Sequence, residues 1–111
     1  MDTINIEEIA FKIIANSGEA RAKISDAMDA IEEGQFELAV QLLEQAEENL
    51  LEAHNVHMQI VQKEACGERI NPTLLLIHAM DIMLITEAER DLVKRILRMY
   101  KNKRIRFSEK V

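Results

Sequence analysis

From Ile6 the apolar side chains return every three or four residues, as Ile6, Ile9, Ile13, Ala20, Ile24, Ala27, Met28 and Ile31. That is the spacing of one helix face, because 3.6 residues make a turn. Asn5 is placed to cap this helix, with Glu8 reaching back as in a capping box, and Gly34 is placed to stop it. Ser17-Gly18 interrupts the stripe, and the expectation is a close helix approach inside one long helix. A second helix is predicted from about Gln35 to about Cys66. Its inward face reads Phe36, Ala39, Leu42, Leu43, Ala46, Leu50, Ala53, Val56, Ile60 and Val61, with Gly67 as its stop. Asn71-Pro72 marks the next boundary, since asparagine caps well and proline suits the first helical position. Helix three is predicted from Pro72 to about Asn102, with a short basic tail from about residue 103.

Short connections between long helices force antiparallel neighbours, so the expected architecture is all-α, an up-down-up antiparallel three-helix bundle forming one domain over 1–111. The composition agrees: 48% of residues are hydrophobic but 4% aromatic, with three glycines and one proline. Strands prefer β-branched and aromatic residues bounded by turn formers. The first half of helix three, Leu74 to Ile85, is apolar on every side, more than two partner helices require. The surplus predicts self-association, with copies packed around helix three in a cyclic oligomer.

The net charge of -6 is unevenly spread, at -10 over residues 1–55 and +4 over 56–111. Eight bases fall between Lys94 and Lys110 against one acid, Glu109. Cations suit the end of a helix and the tail beyond it, and the chain as a whole is acidic, so no nucleic-acid partner is expected. A single cysteine, Cys66, forms no internal disulfide and receives no role. With no signal peptide and no long apolar span visible, the expected location is cytoplasmic, without membrane insertion.

Within helix three, His78 and Asp81 stand three residues apart, on nearly the same face. A histidine in such surroundings is more often a packed, hydrogen-bonded group than a functional one, although neutral imidazole is a good nucleophile and metal ligand. Asp81 is costly to bury ionised without a partner, and it either faces solvent or meets copies of itself around a divalent cation, which carboxylate oxygens suit. His54 and His57 lie three apart on helix two and would hold a metal with Glu64 or another chain completing the shell. Two histidines alone are a weak signal. Neither has a glutamate three positions before it, as a di-iron bundle would require. The chain has no Gly-rich phosphate loop, nucleophilic serine elbow or CxxC pair.

Taken together, Asn16-Ser17-Gly18-Glu19-Ala20-Arg21, Gly34-Gln35-Phe36, Ala53-His54, Glu64-Ala65-Cys66-Gly67-Glu68 and the run from Leu74 to Asp81 resemble the lactose/cellobiose-type enzyme IIA of the bacterial phosphoenolpyruvate-dependent sugar phosphotransferase system. The resemblance covers nearly the whole chain apart from the basic tail. It implies a homotrimer in which His78 takes phosphate from the phosphocarrier histidine protein and passes it to a cysteine of the cognate IIB subunit. The sugar served would be of the lactose, cellobiose or chitobiose kind. It also implies that Asp81 binds a divalent cation, Mg being the expected one, on the trimer axis. Two departures stand close to the histidine: Met80 replaces the family's usual glutamine and Ile82 its usual second histidine. On helix two, His57 stands where glutamine is typical and would restore a polar partner to the phosphohistidine. The losses at Met80 and Ile82 leave an alternative open, a trimeric regulatory or interaction module that no longer transfers phosphate.

Overall fold

The computed structural model describes residues 5–102, and the basic tail lies outside them. Three helices follow in order: α1 (Ile6–Glu32), α2 (Phe36–Ala65) and α3 (Leu74–Lys101). They form an up-down-up bundle measuring 61 × 23 × 20 Å.

Each boundary has a local cause. The Glu8 N–H donates to Asn5 Oδ1 at 3.0 Å, so the expected cap of α1 is present. The Glu8 carboxylate turns to Lys12 Nζ at 3.3 Å, an i,i+4 pair on the exposed face. Gly34 and Gly67 end α1 and α2 with φ of 77° and 96°, a region costly for residues with a Cβ. In each case the glycine N–H returns to the carbonyl three residues earlier, Ile31 or Glu64, both at 3.0 Å. The next N–H returns five residues, Gln35 to Ala30 at 2.8 Å and Glu68 to Lys63 at 3.1 Å. This double closure satisfies carbonyls that a helix end otherwise leaves open.

Helix α3 begins two residues later than the sequence suggests. Thr73, not Asn71, is its N-cap: the backbone there is extended and Thr73 Oγ1 accepts from Leu76 N–H at 3.1 Å. Proline biases the residue before it away from helix, and a threonine directly after Pro72 offers a hydroxyl at the right spacing.

The core falls into two apolar clusters. One gathers Ala20, Ile24, Ala27, Ile31, Ala39, Leu43, Ala46, Val93 and Leu97 at the α1–α2 turn. The other gathers Ile9, Ile13, Ala53, Val56, Ile60, Leu76, Ala79 and Met83 at the opposite end. Between them lie Ser17 and Thr86, both fully buried. Thr86 Oγ1 donates to Ile82 O at 2.6 Å, while Ser17 Oγ has no hydrogen-bond partner. At the same level Asn49 Nδ2 donates to Glu19 Oε2 at 2.7 Å and Lys23 Nζ donates to Asn49 Oδ1 at 2.8 Å.

Helix α1 is continuous through Ser17-Gly18, as expected, but the close approach is not made at the glycine. Gly18 is exposed, and a Cβ there would meet nothing within 4 Å. The tight packing comes instead from fully buried alanines seven residues apart, Ala20 and Ala27 on α1 and Ala39, Ala46 and Ala53 on α2. Val61, expected on the inner face of α2, is 39% exposed. It follows the buried Ile60 by one residue, about 100° around the helix, and so falls off the inward stripe.

Candidate functional site

His78 sits one turn into α3 and is exposed, as is Asp81 three residues on. The cost of burying Asp81, inferred from its apolar neighbours, is therefore not incurred within one chain. Those neighbours are themselves exposed: Leu74, Ile77, Leu84, Ile85 and Leu92 keep between 44% and 84% of their surface in solvent. They lie at three-, four- and seven-residue spacing and share one face of α3 with Asp81. The opposite face carries Leu76, Ala79, Met83 and Thr86 into the core. Met80 and Ile82, on either side of Asp81, are half-buried against the bundle. His78 thus stands at the edge of an apolar stripe that its own bundle leaves uncovered.

His57 is half-buried on α2, facing α3. Burial is the main cause that holds its pKa below the usual 6.5; the neighbouring His54 pushes the same way, and Glu87 on α3 opposes both. Glu87 is the member of this group that the sequence did not point to, because only the antiparallel register brings it to the histidines. That register is marked by Lys94 Nζ, 2.6 Å from Glu47 Oε1. Ten residues along α2 from Glu47 is His57, and ten back along α3 from Lys94 is Leu84. His78 lies six residues beyond Leu84, roughly 9 Å further along the axis at the helical rise. The structure therefore brings His57 together with His54 and Glu87, and His78 together with Asp81, without joining the two groups in one chain.

Among the described residues no three His, Cys, Asp or Glu side chains converge in a way that could hold a metal ion. His54, His57 and Glu64 do not make such a set. Asp81 brings a single carboxylate, a hard oxygen donor of the kind divalent cations take, and fits a cation only as one of several symmetric copies. Cys66 is exposed at the α2 C-cap and unpaired with another cysteine. No helix of the described residues is long and apolar enough to cross a membrane.

An exposed imidazole on the third helix of an up-down-up bundle, beside an aspartate on an apolar stripe, defines a class that comparison with known proteins resolves. Residues 8–101 match the model of the PTS system lactose/cellobiose-specific IIA subunit. The oligo-β-mannoside-specific EIIA component of Bacillus subtilis is 40% identical over 99 residues, covering 89% of this chain and 90% of the relative. The lactose-specific EIIA component of Staphylococcus epidermidis is 33% identical over 101 residues, covering 91% and 97%. Among solved structures, PtcA from S. mutans superposes with a TM-score of 0.87 at 36% identity, covering 91% of this chain and 99% of that one. The chain belongs to the lactose/cellobiose-specific IIA family and is a component of the sugar phosphotransferase system.

Proposed function

We propose that this protein is a phosphocarrier that accepts a phosphoryl group on His78 from the phosphocarrier histidine protein and passes it to a cysteine of a IIB subunit. The observation that supports this reading best is the placement of His78: exposed, on a rigid helix, and at the edge of the apolar stripe rather than within it, so that it stays open to a partner when the stripe is covered. In the first step a neutral His78 ring nitrogen attacks phosphorus in line. A new P–N bond forms as the P–N bond of the donor phosphohistidine breaks, and the donor ring leaves with the bonding pair. In the second step the IIB thiolate attacks the same phosphorus, the P–N bond to His78 breaks, and the imidazole is restored.

The relatives are named for oligo-β-mannosides and lactose. A β-linked or lactose-like disaccharide, cellobiose and chitobiose included, is the corresponding sugar here. The apolar stripe of α3 is proposed to be covered by two further copies in a homotrimer. Three Asp81 carboxylates would then share a divalent cation such as Mg, which would neutralise like charges that otherwise repel.

The test is incubation with phosphoenolpyruvate, enzyme I and the phosphocarrier histidine protein. Acid-labile phosphate should appear on the wild type and be absent from His78→Ala. An unmodified wild type beside an active homologue would instead favour the regulatory alternative, which the apolar Met80 and Ile82 motivate. His57→Gln separates two further outcomes. The register keeps His57 away from a phosphate on His78 of the same chain, so lowered modification in this variant would mean that His57 acts on a neighbouring copy.

A further inference from the structure

The uncovered stripe of α3 runs Leu74, Ile77, Asp81, Leu84, Ile85, Ala88, Leu92 and Arg95; Asp81 and Arg95 are the charges on its midline, while Asp91 and Arg98 continue the row of Ile77 and Leu84 along its edge. Asp81 and Arg95 are 14 residues apart, two heptads, so a supercoiled α3 returns them to the same seam position. Both are exposed, and neither makes an ion pair or hydrogen bond with another described residue. Lys94 pairs with Glu47 at 2.6 Å and Arg90 with Asp91 at 3.0 Å, whereas Arg98, one turn on, is exposed and unpaired among the described residues like Arg95 but lies off the midline of the stripe. Arg95 also borders the α2–α3 groove, whose charged lining is mixed: Glu44, Glu47 and Asp91 beside Lys94 and Arg98.

Copies of α3 related by a threefold axis are parallel, so every residue of the seam meets its own equivalents. Asp81 then meets Asp81, and Arg95 meets Arg95 roughly 21 Å away along the axis. Three guanidinium groups drawn together on an apolar seam repel and lose hydration unless an anion neutralises them. We propose that the three Arg95 side chains form an axial site for a tetrahedral oxyanion such as inorganic phosphate. Threefold symmetry presents one planar donor fork to each of three oxygens, which matches guanidinium–oxyanion geometry. The inference rests on the trimer proposed above, and the site is incomplete in any single chain.

The test measures particle mass and anion binding on the same samples. Sedimentation velocity should give a trimer. Titration calorimetry with inorganic phosphate should give one anion for every three chains. Phosphate at about ten times its dissociation constant should raise the melting temperature by about 3 °C over chloride at matched ionic strength. Arg95→Gln should stay trimeric and lose at least tenfold in phosphate affinity, whereas Arg98→Gln should keep both stoichiometry and affinity. A trimer that binds no phosphate, or binds it equally well as Arg95→Gln, overturns the axial site and leaves the trimer standing. One phosphate per chain, lost in both arginine variants, also overturns it and moves the anion to the α2–α3 groove. A monomer overturns site and trimer together, and so does an antiparallel dimer, which would set Asp81 against Arg95 across Ala88. Should Arg95→Gln fail to fold, the wild-type stoichiometry alone decides between the axial site and its rivals.

Discussion

At position 57 a histidine occupies a site whose surroundings favour its neutral form. Burial lowers its pKa from 6.5, His54 lowers it further, and Glu87 recovers part of the difference. A base with a depressed folded pKa binds fewer protons folded than unfolded, so stability is complete above the unfolded value and falls as pH drops through 6.5 toward the folded value. Thermal melts between pH 7.5 and pH 5.5 should therefore show a decline in melting temperature that is smaller in His57→Gln; equal slopes would remove the linkage. Ser17 permits a second test at one residue. Its hydroxyl is fully buried without a hydrogen-bond partner, and such a group costs about 1–3 kcal/mol when left unmade. Ser17→Ala should raise the urea midpoint by the equivalent of about 1 kcal/mol, and a drop would mean the hydroxyl has a partner in solution. Of these two sites the sequence showed only the His54–His57 pair, without Glu87 or the burial. The group around His57 depends on a register between helices that no local pattern encodes, and Ser17 reads as the polar interruption of a stripe. His78 and Asp81 were legible as a pair, yet their exposure was not, because apolar neighbours imply burial without saying which chain supplies the cover.

Helices and their ends followed more closely from sequence, since periodicity and turn chemistry are local. The stripes of α1 and α2 predict most of the buried positions, and Gly34 and Gly67 stop their helices by adopting the backbone that glycine tolerates best. The start of α3 did not follow, because Asn71-Pro72 and Thr73 are competing caps whose ranking depends on how the chain leaves α2. The threonine cap bears on function, as it holds the turn directly before His78. Removing the hydroxyl in Thr73→Ala frees the Leu76 N–H and should cost about 1 kcal/mol. The loss should concentrate at the first turn, so hydrogen exchange there should quicken more than at the centre of α3. Uniform quickening across the helix would show instead that the cap supports the whole bundle. On the proposed reading of His78 as phosphate acceptor, its phosphorylation should slow in the same variant, because a frayed turn would no longer hold the ring for in-line attack.

For the whole molecule the decisive quantity is the apolar surface that one bundle leaves in water. Leu74 is 84% exposed, Leu92 59% and Leu84 56%, on a single face of one helix. Full burial of such a side chain contributes about 1.5–3 kcal/mol, so covering the stripe in each chain of the proposed trimer would supply several kcal/mol per chain against the entropy lost on association. A charge in the middle of that stripe reverses the balance, since three glutamates would have to be desolvated together at the axis. Leu84→Glu should therefore sediment as a monomer with unchanged helical circular dichroism, because Leu84 is 56% exposed and lies outside both core clusters of its own bundle. Asp81 is the natural exception on the same seam, and a bound cation is what would make it tolerable. A chelator should accordingly lower the melting temperature of the wild type and leave Asp81→Ala unaffected, since removing the carboxylates removes both the repulsion and the need for the ion. A wild type indifferent to chelation would mean that the three aspartates are held apart or hydrated at the axis, and that apolar contacts on either side of them carry the assembly.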